Sequence, residues 1–368
     1  MRVLAVSSYP VEAAATRFRV AQFVGPLRER GIEVDVVPFL DGDGFRVLYS
    51  GGSAGTKAAK LLSGAARRVG LAARVRGYDL LFVQREAMPV GPGFFEWLYA
   101  KLGRLPMVLD LDDATYVRYV SPTYGRLGSA LKFFGKTDKL IDRAEVVVCG
   151  NRFIAEHVEQ RSTKAVVIPT IVDTDVFRPA ERGGEIPVVG WIGTHSTFPF
   201  LEKLFPVLSR LAERHRFRLK IVGSGRDRVE VEGVEVENLP WSLDREVEDF
   251  RSLDIGLYPI DTSGKLDAAW LAGKSGFKAI QYMAVGCPFV VTPVGVCAEI
   301  GIEGETHLAA TSDDEWFAAL NDLLKSSSVR ADMGNSGRDF AVRHFNLPDM
   351  TERLADTLRG VVPQDPDR

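Results

Sequence analysis

Cysteine is scarce in this chain. Cys149, Cys287 and Cys297 stand beside apolar neighbours, with neither the paired spacing of a zinc site nor the density of a disulfide scaffold. That usage fits a reducing, cytoplasmic compartment. An excess of one charge is lacking too: 46 Lys and Arg face 49 Asp and Glu, a net charge of −3, so no strongly nucleic-acid-binding class is expected. No uninterrupted apolar run reaches the roughly 18 residues of a spanning helix. The most hydrophobic region, 288–302, is broken by prolines, glycines and Glu299. The opening Met1-Arg2-Val3-Leu4-Ala5-Val6 reads as a strand, not as a signal peptide. What is present is an average soluble-enzyme composition, 46% apolar over 368 residues. Such a length exceeds one ordinary core, which stops growing near about 250–300 residues, and predicts two globular domains.

Runs of valine, leucine and isoleucine alternate with helical segments, the pattern of parallel strands joined by crossover helices. Strands are predicted at 2–7, 32–39, 79–84, 107–110, 145–149 and 165–168, then at 188–192, 218–222, 234–238, 255–258 and 289–292. The fold class is α/β, with two Rossmann-like, doubly wound domains. The boundaries expected are 1–170 for the first domain, 171–186 for a linker, 187–345 for the second domain and 346–368 for a C-terminal helix and tail. Ligands of such folds bind at the carboxyl ends of the strands, and the crevice between the domains is the expected place.

Several segments together resemble the retaining glycosyltransferases of family 4, whose GT-B architecture has two facing Rossmann-like domains and an interdomain cleft. Ile168-Pro169-Thr170-Ile171-Val172-Asp173 and Phe177-Arg178-Pro179 are similar to that family's linker, with Thr170-Ile171 where Asn-Gly is common. Gly273-Lys274-Ser275-Gly276-Phe277-Lys278, continuing through Gln281-Tyr282-Met283-Ala284-Val285-Gly286-Cys287-Pro288, resembles its donor-binding helix and the strand after it. The family's two glutamates fall on Gly273 and Gln281, and its Arg…Lys pair is replaced around Gly193-Thr194-His195. The resemblance implies sugar transfer from a nucleoside-diphosphate sugar to an acceptor hydroxyl, with retention of anomeric configuration. It also implies no cofactor and no essential metal.

The residues supply chemistry for that reading. Ser275 and Gly276 read as a helix start, which puts Lys278 in the first turn, where a cation opposes the helix dipole unless an anion is bound. A diphosphate leaving group is such an anion, and Lys274 and Lys278 are its candidate stabilisers. Gly276, Phe277 and Gln281 complete the donor candidates on that segment, Gln281 toward a ribose hydroxyl. Gly193, Thr194, His195, Gly223 and Trp241 complete them on loops after strands. In the first domain Asp110, Asp112 and Asp113 cluster at a strand's carboxyl end, with Arg17, Arg19 and Arg85 as candidate partners. Asp112 and Asp113 are candidate catalytic groups for the acceptor, or equally a helix cap and a salt-bridge partner. Ser8, Arg17, Arg19, Arg85 and Asp110 are the candidate acceptor residues.

Between 44 and 78 there is no acidic residue but seven basic ones, Arg46, Lys57, Lys60, Arg67, Arg68, Arg74 and Arg76. Ala58, Leu61, Leu62, Ala65, Val69 and Ala72 are expected on one helix face. This pattern suits either a helix packed on the sheet or contact of 57–76 with an anionic membrane surface. The expected partners are thus a nucleotide-sugar donor and a small-molecule, glycan or lipid-linked acceptor, without nucleic acid. The expected location is cytoplasmic, with peripheral contact at the inner membrane face. The alternatives are a non-catalytic sugar-nucleotide-binding protein of the same fold and a GT-B nucleotide-sugar epimerase.

Overall fold

The computed structural model describes residues 1–49, 53–118, 125, 131–180, 184–262 and 268–363. Parts of three expected segments, namely 50–52 of the basic stretch, 181–183 of the linker and 364–368 of the tail, lie outside the described residues. The chain forms two compact units. One comprises Met1–Thr170, Gly273–Ser275 and Leu347–Arg368; the other comprises Ile171–Ala272 and Gly276–Asn346.

The first unit holds strands β1 (Arg2–Ser7), β2 (Glu33–Pro38), β3 (Leu80–Gln84), β4 (Met107–Leu111), β5 (Val146–Cys149) and β6 (Ala165–Val167). They form one parallel sheet in the order β2-β1-β3-β4-β5-β6. In β3, β4 and β5 every residue is buried, as expected of parallel strands covered by crossover helices on both faces. The strand order reverses between β1 and β3, so the loops after these strands diverge at the carboxyl edge. Helix Leu347–Arg359 completes this unit: Arg30 Nε donates to Glu352 Oε2 at 2.8 Å and Arg359 Nη2 to the Arg30 carbonyl at 2.8 Å.

The second unit holds β7 (Val188–Ile192), β8 (Arg218–Val222), β9 (Glu235–Leu239), β10 (Ile255–Tyr258), β11 (Phe289–Val291) and β12 (Leu308–Ala309), in the order β12-β11-β10-β7-β8-β9. This is the dinucleotide-fold order, with its switch point between β7 and β10. Strand β12, only two residues long, was not expected from the sequence.

Two expectations are corrected. Residues 171–180 are not a free linker but part of the second unit, because Ile171, Val172 and Phe177 are buried. Arg338 Nη1 donates to the Phe177 carbonyl at 2.8 Å, and Arg251 Nη2 to that of Val176 at 2.9 Å. On helix Ala54–Leu71 the inward face carries Gly64, Arg68 and Leu71, whereas Leu62 is 72% and Val69 63% exposed. The expected single apolar face is therefore split. Ala58, Ala59, Leu62, Ser63, Ala66, Val69 and Gly70 make an outward surface with no charge on it. The cations turn elsewhere: Arg67 Nη1 meets Asp41 Oδ2 at 2.8 Å, and buried Arg68 donates to the carbonyls of Ser7, Val37 and Ala87.

Candidate functional site

In the second unit the loops after β7 and β8 close on each other because glycine removes the side chains that would part them. Trp191, the last but one residue of β7, has its indole folded under Gly193, where a Cβ would come within 2.2 Å of the ring. Gly223 has φ +83°, and a Cβ there would lie 2.2 Å from the Gly193 carbonyl oxygen and 3.6 Å from the Cβ of Trp241, just past β9. A Cβ on Gly225, φ +70°, would stand 2.7 Å from the His195 Cβ. Gly193, Gly223 and Trp241 thus converge at the carboxyl edge, with the exposed Thr194 and His195 beside them. Asn238 steadies the β8 loop, accepting from Ser224 Oγ and donating to the Arg226 carbonyl, both at 2.8 Å.

Helix Phe277–Ala284 crosses from β10 to β11, so its N-terminus lies at that same edge. Its N-cap is Gly276 at φ +61°, and no side chain caps it. A Cβ on Gly276 would strike Ile300 Cδ1 at 2.5 Å and Val296 Cγ1 at 2.7 Å, so the bare backbone is required. Ser275, the expected cap, groups with the first unit instead. The first-turn N–H groups of a helix have no intrahelical acceptor and face outward along the axis. Lys278 stands in that turn, its Nζ 4.9 Å from the Trp191 ring centroid and 5.5 Å from that of Tyr258. Those rings stand at the carboxyl ends of β7 and β10, Trp191 last but one and Tyr258 last, on the two strands that flank the switch point. One turn further, Gln281 is only 3% exposed, and its side-chain amide makes no hydrogen bond among the described residues. Tyr282 belongs to the core, its hydroxyl donating to the Leu257 carbonyl at 3.0 Å. Half-buried Phe277 precedes Lys278.

The expected acceptor residues of the first unit sort into two kinds. Arg19 and Asp110 are both buried and paired bidentately, Arg19 Nε reaching both carboxylate oxygens at 3.1 Å and Nη1 donating to the Ile168 carbonyl at 2.6 Å. Burial works against the charge of Arg19, and the Asp110 carboxylate more than offsets it, leaving the guanidinium above its ordinary pKa. This pair ties β4 to the helical turn after β1 and has no surface to offer an acceptor. Ser8 is likewise buried, donating to the Glu86 carbonyl at 3.1 Å, and Arg17 is turned to the carbonyls of Val11 and Glu12.

Arg85 is different. It leaves β3 in the left-handed region, φ 60°, a conformation that costs a non-glycine residue energy and persists where the surroundings hold it. Its Nη2 meets Asp112 Oδ2 at 2.7 Å and Asp113 Oδ2 at 2.5 Å, and Gln84 Nε2 reaches Asp112 Oδ1 at 3.3 Å. Asp112 is buried; burial opposes its charge, but Arg85 prevails and holds the carboxyl below its ordinary pKa. The Asp113 side chain is 40% exposed. The charge of these carboxylates is thus met by guanidinium groups. Among the described residues no group of three or more His, Cys, Asp or Glu could hold a metal ion.

Segment Gly273–Ser275 packs beside this loop. The Ala114 N–H donates to the Gly273 carbonyl at 3.2 Å, and Asn151 Nδ2 to that of Lys274 at 3.0 Å. A Cβ on Gly273 would overlap Ala114 Cβ at 2.2 Å, so no glutamate side chain fits there. Lys274 accordingly groups with the first unit and Lys278 with the second. Sequence reasoning missed Tyr258 and Asn151. The available signal was their place, at or just past the ends of β10 and β5.

Two Rossmann-like units of six parallel strands each, flanked by helices, are the GT-B fold of glycosyltransferases. Residues 186–326 match the family described as glycosyl transferases group 1, and the GT-B architecture read from the sequence holds for the fold. The chain is similar to HepE of Anabaena, solved in complex with UDP-glucose, at 17% identity and a TM-score of 0.68, covering 98% of this chain and 100% of that one. It is similar to sucrose-phosphate synthase of Thermosynechococcus elongatus, at 14% identity and a TM-score of 0.67, over 98% and 99% of the two chains. A glycosyltransferase of Rickettsia africae matches at 13% identity and a TM-score of 0.68, over 99% of each chain. No curated protein matches. No described helix is long and apolar enough to cross a membrane.

Proposed function

We propose that this protein is a glycosyltransferase that takes a sugar from a nucleoside-diphosphate donor and passes it to an acceptor hydroxyl, with retention and without an essential metal. The observation that carries this reading is the arrangement at the carboxyl edge of the second unit. There the glycine-lined loops, the uncapped N-terminus of helix Phe277–Ala284, Lys278 and the buried amide of Gln281 stand together. The leaving diphosphate gains negative charge in the transition state. The Lys278 ammonium and the first-turn N–H groups are fixed in advance to receive it, a role that a metal ion fills elsewhere. Gln281 has an amide donor and acceptor for a ribose hydroxyl. Trp241, beside Gly223, offers a ring to the base. Retention rests on the family resemblance alone, and Lys274 is assigned to the diphosphate on the same ground. In the first unit, Asp113 is the carboxylate left with solvent exposure, and it is assigned to the acceptor hydroxyl.

The occlusion at Gly273 favours a second reading, a sugar-nucleotide-binding protein without turnover, since a carboxylate of the resembled motif has no room there. Calorimetric titration with UDP, GDP, ADP, TDP and their sugar conjugates, with and without EDTA, tests the first reading. Binding of one nucleotide that is insensitive to EDTA and at least tenfold weaker in Lys278→Ala is expected. Binding without any product release supports the second, and absence of binding to all of them overturns both.

The outward face of helix Ala54–Leu71 extends the proposal to peripheral contact with an anionic membrane, where a lipid-linked acceptor would lie. The uncharged stripe around Leu62 and Val69 would meet the acyl boundary.

A further inference from the structure

The carboxyl ends of β7 and β10 carry two aromatic rings, Trp191 and Tyr258, and the Lys278 ammonium lies over both at 4.9 and 5.5 Å. We propose that Trp191 and Tyr258 are positioning residues that hold the Lys278 ammonium at the switch point for the donor diphosphate. This rests on the assignment of Lys278 to the donor.

Three physical facts lead there. Lys278 stands in the first turn of its helix, where the dipole repels a cation, it is half-buried, and its ammonium lies against both rings. A ring face attracts a cation through its quadrupole without neutralising it. A ring contact thus leaves the ammonium's charge available to an arriving anion. The rings themselves are fixed. Trp191 meets Phe198 edge-on at 5.8 Å and is folded under Gly193, which has no Cβ to displace it. Tyr258 is set by the pairing of β10 with β11, opposite Val291, and its carbonyl accepts the Thr292 N–H at 3.2 Å. The two strands that diverge at this crevice thus each contribute one ring, and helix Phe277–Ala284 contributes the cation.

The chemistry implied is selective for a dianionic group, the diphosphate, over the neutral sugar. The rings' contribution is felt only through Lys278, which makes the proposal separable from the donor assignment by a double-mutant cycle. UDP, or whichever diphosphate the full-length protein binds, is titrated into wild type, Tyr258→Phe, Tyr258→Leu, Lys278→Met and Tyr258→Leu/Lys278→Met. In parallel the lysines are reductively methylated with carbon-13 and observed by NMR. Tyr258→Phe keeps the ring and stays within twofold of wild type. Tyr258→Leu loses about tenfold in affinity, the size of one desolvated cation–π contact, and costs less than twofold further in the Lys278→Met background. The Lys278 methyl signal stands upfield from ring currents and moves to the ordinary lysine position in Tyr258→Leu.

A full additional tenfold loss in the Lys278→Met background, or equal loss in Tyr258→Phe and Tyr258→Leu, overturns the positioning role while leaving the donor assignment intact. An unshifted Lys278 signal in wild type overturns it as well. Unchanged affinity in Lys278→Met overturns the donor assignment itself, and the proposal with it, even where the NMR signal shows the ammonium against the rings.

Discussion

Adjacent carboxylates at the end of β4 have opposite fates. Asp112 is buried and spent on Arg85 and Gln84, whereas Asp113 shares Arg85 yet keeps 40% of its side chain exposed. Asp112→Asn therefore leaves the Arg85 guanidinium short of its partner and is expected to cost about 3 kcal/mol, the lower end for a broken buried pair because Arg85 is partly solvated. Asp113→Asn is expected to leave thermal stability unchanged and to lower transfer by a factor of about 10²–10⁴, as loss of a general base does. Melting curves and steady-state turnover on both variants check this; a Tm drop confined to Asp113→Asn would reverse the assignment. The aspartate cluster itself was legible in the sequence, since three carboxylates follow an apolar run. Which of them is occupied was not, because the occupants come from 85 and 19, on other strands' loops, and no spacing rule connects them. The same limit hid Tyr258, whose role depends on a ring and an ammonium brought together across a crossover.

At the scale of elements, strands β1, β7, β8 and β10 have the ends that the sequence predicts, since each is an apolar run stopped by polar residues, glycine or proline. Strand β12 is two residues long and offers no period to read. Helix Ala54–Leu71 was legible as a helix but not in orientation: buried arginine inverts the usual rule, and Arg68 faces inward because three carbonyls at the edge of the sheet await donors. The double variant Leu62→Glu/Val69→Glu is thus expected to keep the wild-type Tm and to lose sedimentation with phosphatidylserine vesicles at low salt; vesicle binding equal to wild type would remove the membrane proposal. Helix Asp313–Lys325 gives a pH prediction. The Glu315 carboxylate accepts from Thr311 Oγ1, so its pKa falls from about 4.5 to about 2, with the Ser312 and Thr311 N–H groups adding to the effect. A depressed folded pKa means that the unfolded chain takes up protons first. The capping box is then at full strength above about pH 4.5 and is lost as pH falls toward 2. Urea midpoints measured from pH 6 to 2 are expected to fall less steeply in Glu315→Ala than in wild type.

On the scale of the whole molecule, the division after Thr170 was legible from the Ile168-Pro169 punctuation. The linker was not, because the polar residues between 171 and 180 alternate with Ile171, Val172 and Phe177, which are core. Phe177→Ala is accordingly expected to destabilise the second unit by about 3–5 kcal/mol, the range for emptying a buried aromatic site. Hydrogen exchange should then accelerate at β7 and β10 while β1 and β3 keep wild-type protection; uniform exchange across both sheets would contradict the assignment of 171–180.

The first unit is discontinuous, closed by Gly273–Ser275 and by helix Leu347–Arg359. A ribosome making this protein thus delivers all of the second unit before the helix that seals the first. For the time it takes to translate that stretch, about 10–40 s at 5–20 residues per second, Arg30 and the end of helix Gln22–Glu29, which later meet this helix, stay uncovered on a nascent chain. The part of the protein made first is finished last.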